Sequence, residues 1–149
     1  MPSSFSTTRR VEFSDTDLAG IVHFSKFFTY MESVEHEFLR SIGTSVVTEY
    51  DGDRIGWPRM SASCDYKSPA FFEDELNVEL RIIRKGNKSL NYAYTFTRDD
   101  TLVAEGEIGV ACCVCNPGVR MRAIPIPGEI AEKIQEAGVG SASPSGSGE

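Results

Sequence analysis

The sequence predicts an α+β domain in which one long helix packs on an antiparallel sheet, and three observations carry that prediction. Residues 26–42 place apolar side chains at helical spacing. Several later segments alternate apolar and polar residues with period two, as half-buried strands do. The turns between those segments are too short for parallel crossovers, so neighbouring strands must run antiparallel.

Taken in order, residues 1–8 are polar and rich in Ser and Thr. Segment 8–13 alternates, with Arg9, Val11 and Phe13 on one side and Arg10 and Glu12 on the other, and reads as a short strand. An acidic turn holding Asp15 and Asp17 follows. Ser25 stands where the N-cap of the long helix belongs. Within 26–42, Phe27, Met31, Val34, Phe38 and Ile42 make one stripe, widened by Phe28 and Leu39. Glu32, Glu35, Glu37 and Arg40 fill much of the remainder and read as a solvated or interfacial face. Gly43 sits at the C′ position.

Residues 44–58 read as a connection with its clearest turn at Asp51-Gly52-Asp53. Strands are expected over 59–68, ending at Pro69, over 75–85 with Leu76, Val78, Leu80 and Ile82 in alternation, and over 89–97 with Leu90, Tyr92, Tyr94 and Phe96. Gly86-Asn87 and Asp99-Asp100 supply the turns, and a further strand runs over 102–115. A short helix is expected within 128–137. Residues 138–149, rich in Gly, Ser and Pro, read as a disordered tail to a single domain spanning 1–137.

A net charge of −7 argues against general nucleic-acid binding, which needs a basic face, but leaves room for a local basic cluster and an anionic small ligand. No apolar run reaches membrane-span length and residues 1–10 carry no signal-peptide core, so no membrane partner and a cytoplasmic location are expected. Cys112, Cys113 and Cys115 fall in the apolar stretch 108–115, and the chain has only two histidines, His23 and His36. Core cysteines in a reducing compartment are therefore expected, with Cys64 among them, and neither a metal nor a cofactor.

The acidic turn is where chemistry is expected. Its two carboxylates precede a helix N-terminus, where free backbone N–H groups and the positive end of the helix dipole converge. A base or nucleophile beside aimed donors suits acyl-transfer or hydrolytic chemistry. Asp15 and Asp17 could instead cap the helix or shape the turn, the usual task of Asp in such places.

The residues Asp15-Thr16-Asp17, then Ala19-Gly20-Ile21-Val22, then an aromatic-rich helix, resemble the hotdog-fold thioesterases, nearest the 4-hydroxybenzoyl-CoA thioesterase branch. The resemblance extends to Asp65-Tyr66-Lys67-Ser68-Pro69-Ala70 and to Gly86-Asn87-Lys88-Ser89, and covers about residues 9–126. It implies the hotdog fold, a sheet wrapped around one central helix, assembled as a homodimer or homotetramer with active sites across the subunit interface. It further implies an acyl-CoA thioesterase with Asp17 as nucleophile or general base and the Phe24 backbone N–H polarising the thioester carbonyl. Gly20, Val22 and His23 of the same loop become candidate substrate-binding residues, Gly20 through its backbone, while His23 either lines the acyl pocket or packs at the helix entrance. Coenzyme A needs cations for its phosphates, and the candidates are Arg84, Lys85 and Lys88 with Ser89 at the hairpin, and Arg120 and Arg122 beyond the last strand. A related branch carries His seven residues after the catalytic Asp and Tyr four before it. Here those positions are Phe24 and Phe13, which argues against a His-assisted mechanism. Another branch uses a helical Glu, which keeps Glu32 and Glu35 in view. Rival readings are a hydroxyacyl-thioester dehydratase, whose His-Phe-Pro loop is absent because Ser25 follows His23-Phe24, and a non-catalytic acyl-CoA-binding module. The acyl group stays open among aromatic, short-chain and medium-chain acids, and the carrier between coenzyme A and an acyl-carrier protein.

Overall fold

Helix α1 (Lys26–Ser41) buries Phe27, Tyr30, Met31, Val34, Phe38 and Leu39, essentially the stripe that the spacing predicts. The computed structural model describes residues 3–137, so the expected tail lies outside the described residues. Gly43, at φ +89°, ends the helix as anticipated. Its N–H donates to the Arg40 carbonyl and the Thr44 N–H to the Leu39 carbonyl, each at 3.0 Å, which is the Schellman pattern. The start differs from expectation. Ser25 has helical backbone angles and its side chain caps nothing, because its hydroxyl lies 2.8 Å from His23 Nδ1 instead.

In chain order the strands are β1 (Ser4–Arg10), β2 (Thr48–Tyr50), β3 (Asp53–Gly56), β4 (Arg59–Tyr66), β5 (Glu75–Lys85), β6 (Ser89–Arg98), β7 (Thr101–Ala111), β8 (Cys113–Val114) and β9 (Arg122–Ala123). Five pair antiparallel in the order β1-β5-β6-β7-β4, and the rest form a small sheet, β2-β3-β8-β9. The apolar face of the large sheet, with Leu76, Leu80, Tyr92, Tyr94 and Phe96 all buried, packs on α1. This is the hotdog arrangement. The helix rides close over the sheet at Gly106, where a Cβ would sit 2.5 Å from Met31 Sδ.

Four expectations need correction. The first strand is Ser4–Arg10, not 8–13, because its ladder to β5 runs from Ser4↔Arg81 to Arg10↔Glu75. Phe5, Thr7 and Arg9 take the half-buried positions of that pairing, and Phe13 belongs to a 3-10 turn, Phe13–Asp15. The connection 44–58 holds the β2–β3 hairpin, closed by Asp51 and Gly52 with φ of 53° and 82°. The strand expected over 102–115 is two: at Cys112, whose N–H donates to the Lys88 carbonyl, the chain leaves the large sheet for the small one. Finally, Glu35 is fully buried rather than solvated, held bidentately by Arg59 at 2.6 and 3.1 Å. The C-terminal helix is a single turn, α2 (Gly128–Ala131). Cys112 and Cys113 are buried as expected, while Cys64 and Cys115 are half-buried. Burial first, then the neighbouring cysteines, pushes the Cys112 thiol up to about 11.

Candidate active site

The loop between β1 and α1 is held from several directions. Asp15 Oδ2 accepts from the Glu12 N–H at 2.9 Å and from the Tyr30 hydroxyl at 2.8 Å. The Asp15 carbonyl takes the His23 N–H at 2.9 Å. Burial, then Asp15 itself, pushes the Tyr30 phenol well above its ordinary value, so it keeps the proton that it donates. Thr16 bridges to Val22, and the Val22 N–H donates to the Ala70 carbonyl at 2.9 Å, tying the loop to the β4–β5 connection. Asp15 Oδ2 and the Asp15 carbonyl thus help to shape this loop, while Oδ1 has no hydrogen-bond partner among the described residues.

Inside that frame lies a tight turn. The Asp17 N–H donates to the Ile21 carbonyl and the Gly20 N–H to the Asp17 carbonyl, each at 2.9 Å. Gly20 has φ +85°, a conformation that side chains resist, so its role is to let the turn close. Asp17 Oδ1 accepts the Ala19 N–H at 2.9 Å, and Oδ2 has no hydrogen-bond partner among the described residues. One carboxylate oxygen aims the side chain and the other is free to react.

The Phe24 N–H is aimed by its peptide. The His23 carbonyl accepts the Lys26 N–H at 2.9 Å, and in a trans peptide the N–H on the other side points the opposite way, out of the helix start. It meets no acceptor among the described residues. Asp17, Val22, Phe24, Phe27, Tyr66 and Ser68 wall one cavity of about 570 Å3, ample for an acyl group. A second hollow of about 460 Å3, lined by Phe13, Leu18, Gly20 and Phe72, adjoins the other side of Asp17.

Asp17, Val22 and Phe24 therefore come together, while Gly20 faces the second hollow. His23 lies on the wall of neither. Its ring rests on Phe24, with centroids 4.6 Å apart, and binds Ser25. Of its two predicted roles, the structure favours packing at the helix entrance. The predicted cations lie elsewhere. Arg84, Lys85, Lys88 and Ser89 occupy the far end of the β5–β6 hairpin, and the 11 residues of β5 span roughly 35 Å at about 3.3 Å each. Arg122 pairs with Val114, and the Ile126 N–H donates to the Asn87 carbonyl, so the segment with Arg120 and Arg122 lies beside that hairpin. Lys85 is already engaged, its ammonium donating to the Ala131 and Ile134 carbonyls at 2.6 and 2.8 Å. Arg84 and Ser89 share a shallow groove of about 280 Å3 with Met60 and Asn91. Sequence reasoning gave no site role to Tyr66, Lys67, Ser68 or Ala70, although the segment holding them was part of the resemblance.

The sequence profile of the thioesterase-like superfamily matches residues 11–134. The chain belongs to that superfamily. Its relatives named as thioesterases, 4-hydroxybenzoyl-CoA thioesterase among them, make it a thioester hydrolase. A protein of Aquifex aeolicus, provisionally named an esterase, is 32% identical over 132 residues, 89% of this thioesterase and 98% of that protein. The 4-hydroxybenzoyl-CoA thioesterase of Pseudomonas sp. strain CBS-3 is 26% identical over 139 residues, covering 89% and 98%. The solved structure of a gentisyl-coenzyme A thioesterase superposes with a TM-score of 0.76 at 26% identity, covering 87% of this chain and 98% of its own.

Proposed function

We propose that the chain hydrolyses an aroyl-coenzyme A, giving the free acid and coenzyme A, with Asp17 as the catalytic carboxylate and the Phe24 N–H as the oxyanion donor. One observation carries this reading: a carboxylate with a free oxygen and an unpaired N–H at a helix start share one apolar cavity. A thioester carbonyl placed between them gains negative charge on oxygen as its carbon is attacked, and the N–H stabilises that charge without reorganising. Asp17 either attacks the carbonyl carbon, expelling the thiolate and leaving an anhydride for water to cleave, or takes a proton from the attacking water. Both routes consume one water and release one acid and one thiol. No step calls for a metal or a further cofactor. Aromatic acyl groups suit a cavity edged by Phe24, Phe27 and Tyr66, and relatives named for hydroxybenzoyl and gentisyl thioesters support that class. Against the dehydratase reading stands His23, the base it would need, which is turned onto Ser25.

Arg84, Lys88, Arg120 and Arg122 are assigned to the phosphates of a substrate whose thioester lies in another protomer, since a sheet length separates them from Asp17 of their own chain. The open edge strand β4, exposed along nearly its whole length, supports such a homodimer or homotetramer.

The test is thiol release from benzoyl-, 4-hydroxybenzoyl-, acetyl-, hexanoyl- and palmitoyl-CoA by wild type and Asp17→Asn. We expect an aroyl ester to turn over fastest and the variant to lose activity by about a thousandfold or more while keeping its fold. Equal activity in both proteins would remove Asp17 from the mechanism. Binding without turnover of any ester would make the chain a binding module.

A further inference from the structure

An oxyanion donor is only as effective as its aim, and the Phe24 N–H sits at a junction of two peptides. The first, His23–Phe24, is fixed from the helix by the Lys26 N–H. The second, Phe24–Ser25, is fixed from a different element: the Tyr66 hydroxyl, at the end of β4 and 42 positions away in sequence, donates to the Phe24 carbonyl at 2.9 Å. The Ser25 N–H of that second peptide also points to His23 Nδ1, at 3.3 Å.

We propose that Tyr66 is a positioning residue for the proposed reaction: by holding the Phe24 carbonyl it locks the torsions about the Phe24 Cα and keeps the neighbouring N–H directed at the thioester oxygen. The inference rests on the assignment of that N–H as the oxyanion donor. The same ring packs edge-on to Phe27, with centroids 5.5 Å apart, and walls the cavity shared with Asp17. Tyr66 therefore joins the sheet edge, the helix start and the acyl cavity in one side chain. Partial burial, then the Cys64 thiol nearby, raises the Tyr66 phenol above its ordinary value, so the hydroxyl remains a donor across the working pH range. The wall and the hydrogen bond are separable functions. Tyr66→Phe keeps the ring and removes only the bond, whereas Tyr66→Ala removes both.

The experiment combines kinetics with vibrational spectroscopy of a bound ester. With the best aroyl-CoA, Tyr66→Phe should lower kcat about three- to tenfold, the range of a single neutral hydrogen bond, and leave KM within about twofold. Tyr66→Ala should in addition raise KM. In the Asp17→Asn background, the carbonyl stretch of the bound ester should lie below that of the free ester, and adding Tyr66→Phe should move it back toward the free value. An unchanged kcat, or a lowered kcat with an unmoved carbonyl stretch, overturns the positioning role while leaving the Phe24 assignment standing. A bound carbonyl in Asp17→Asn that matches the free ester removes the oxyanion donor itself, and the positioning role with it. A shared melting temperature for wild type and Tyr66→Phe keeps the comparison free of unfolding.

Discussion

The two ends of the large sheet are built on opposite principles. At the Asp17 end the polar groups are mostly backbone, and nearly every one is fixed: Asp15 by Tyr30 and Glu12, Val22 by Ala70, and the Phe24 carbonyl by Tyr66. At the hairpin end the polar groups are long side chains, and Arg84, Lys88, Arg120 and Arg122 all stand exposed. The difference follows from the two tasks proposed for these ends. Stabilising a charge that appears during reaction requires donors already in place, whereas holding a phosphate that arrives charged requires only reach and sign. Variants at the first end should alter kcat, and variants at the second should alter KM.

The Arg59–Glu35 pair sharpens that contrast, because it lies toward the hairpin end yet is held as tightly as the Asp17 loop. Glu35 is fully buried and both its oxygens are taken by Arg59, with Tyr92 and Tyr94 nearby. Burial first, then the Glu35 charge, raises both tyrosines. Arg59→Met leaves a carboxylate in the core with only the His36 imidazole, at 3.9 Å, beside it and should cost about 3–5 kcal/mol in urea denaturation. Arg84→Met, on an exposed side chain, should change stability by less than about 0.5 kcal/mol. Similar costs for the two would mean that Glu35 finds another partner or water.

Next in size is the binding effect. Arg84→Ala with Lys88→Ala should raise KM for the coenzyme A ester about tenfold, leave kcat nearly unchanged and flatten the salt dependence of kcat/KM. A fall in kcat instead would place these cations at the reacting atoms and break the division between the ends.

This same contrast decides how much the sequence could reveal. Helix α1 was legible because its stripe is local and Gly43 stops it, and the β5–β6 hairpin because period two is local as well. Asp17 was singled out through its motif and its place before a helix, and the fold sets it on the wall of a cavity that Phe24 also lines. The Tyr66–Phe24 bond was not, since it joins residues 42 positions apart and each end alone looks ordinary. Glu35 misled for a related reason: helical periodicity assigns a Glu to the wet face unless its Arg is known to arrive from β4. The hairpin cations were legible as charges but not as a distant group, because their distance from Asp17 is a property of the sheet.

Within the Asp17 loop, Gly20 and His23 test how far the fixed frame extends. Gly20→Ala forces a Cβ into φ +85° with open space around it, so the cost is backbone strain of about 1 kcal/mol rather than a clash. That strain should appear as a several-fold loss in kcat through a displaced Asp17, with only a small fall in melting temperature. His23→Ala should do less. Its backbone N–H, which holds the Asp15 carbonyl, survives the substitution, and its ring is on the wall of neither hollow. What is lost is the contact with Ser25 and the stacking on Phe24, at the exposed mouth of the loop. Activity on the best ester should stay within about threefold of wild type, and its pH profile should keep the same acid limb, because no proton in the proposed reaction passes through the imidazole. A loss of a hundredfold, or a shifted acid limb, would put His23 into the chemistry and return a His-assisted mechanism to consideration.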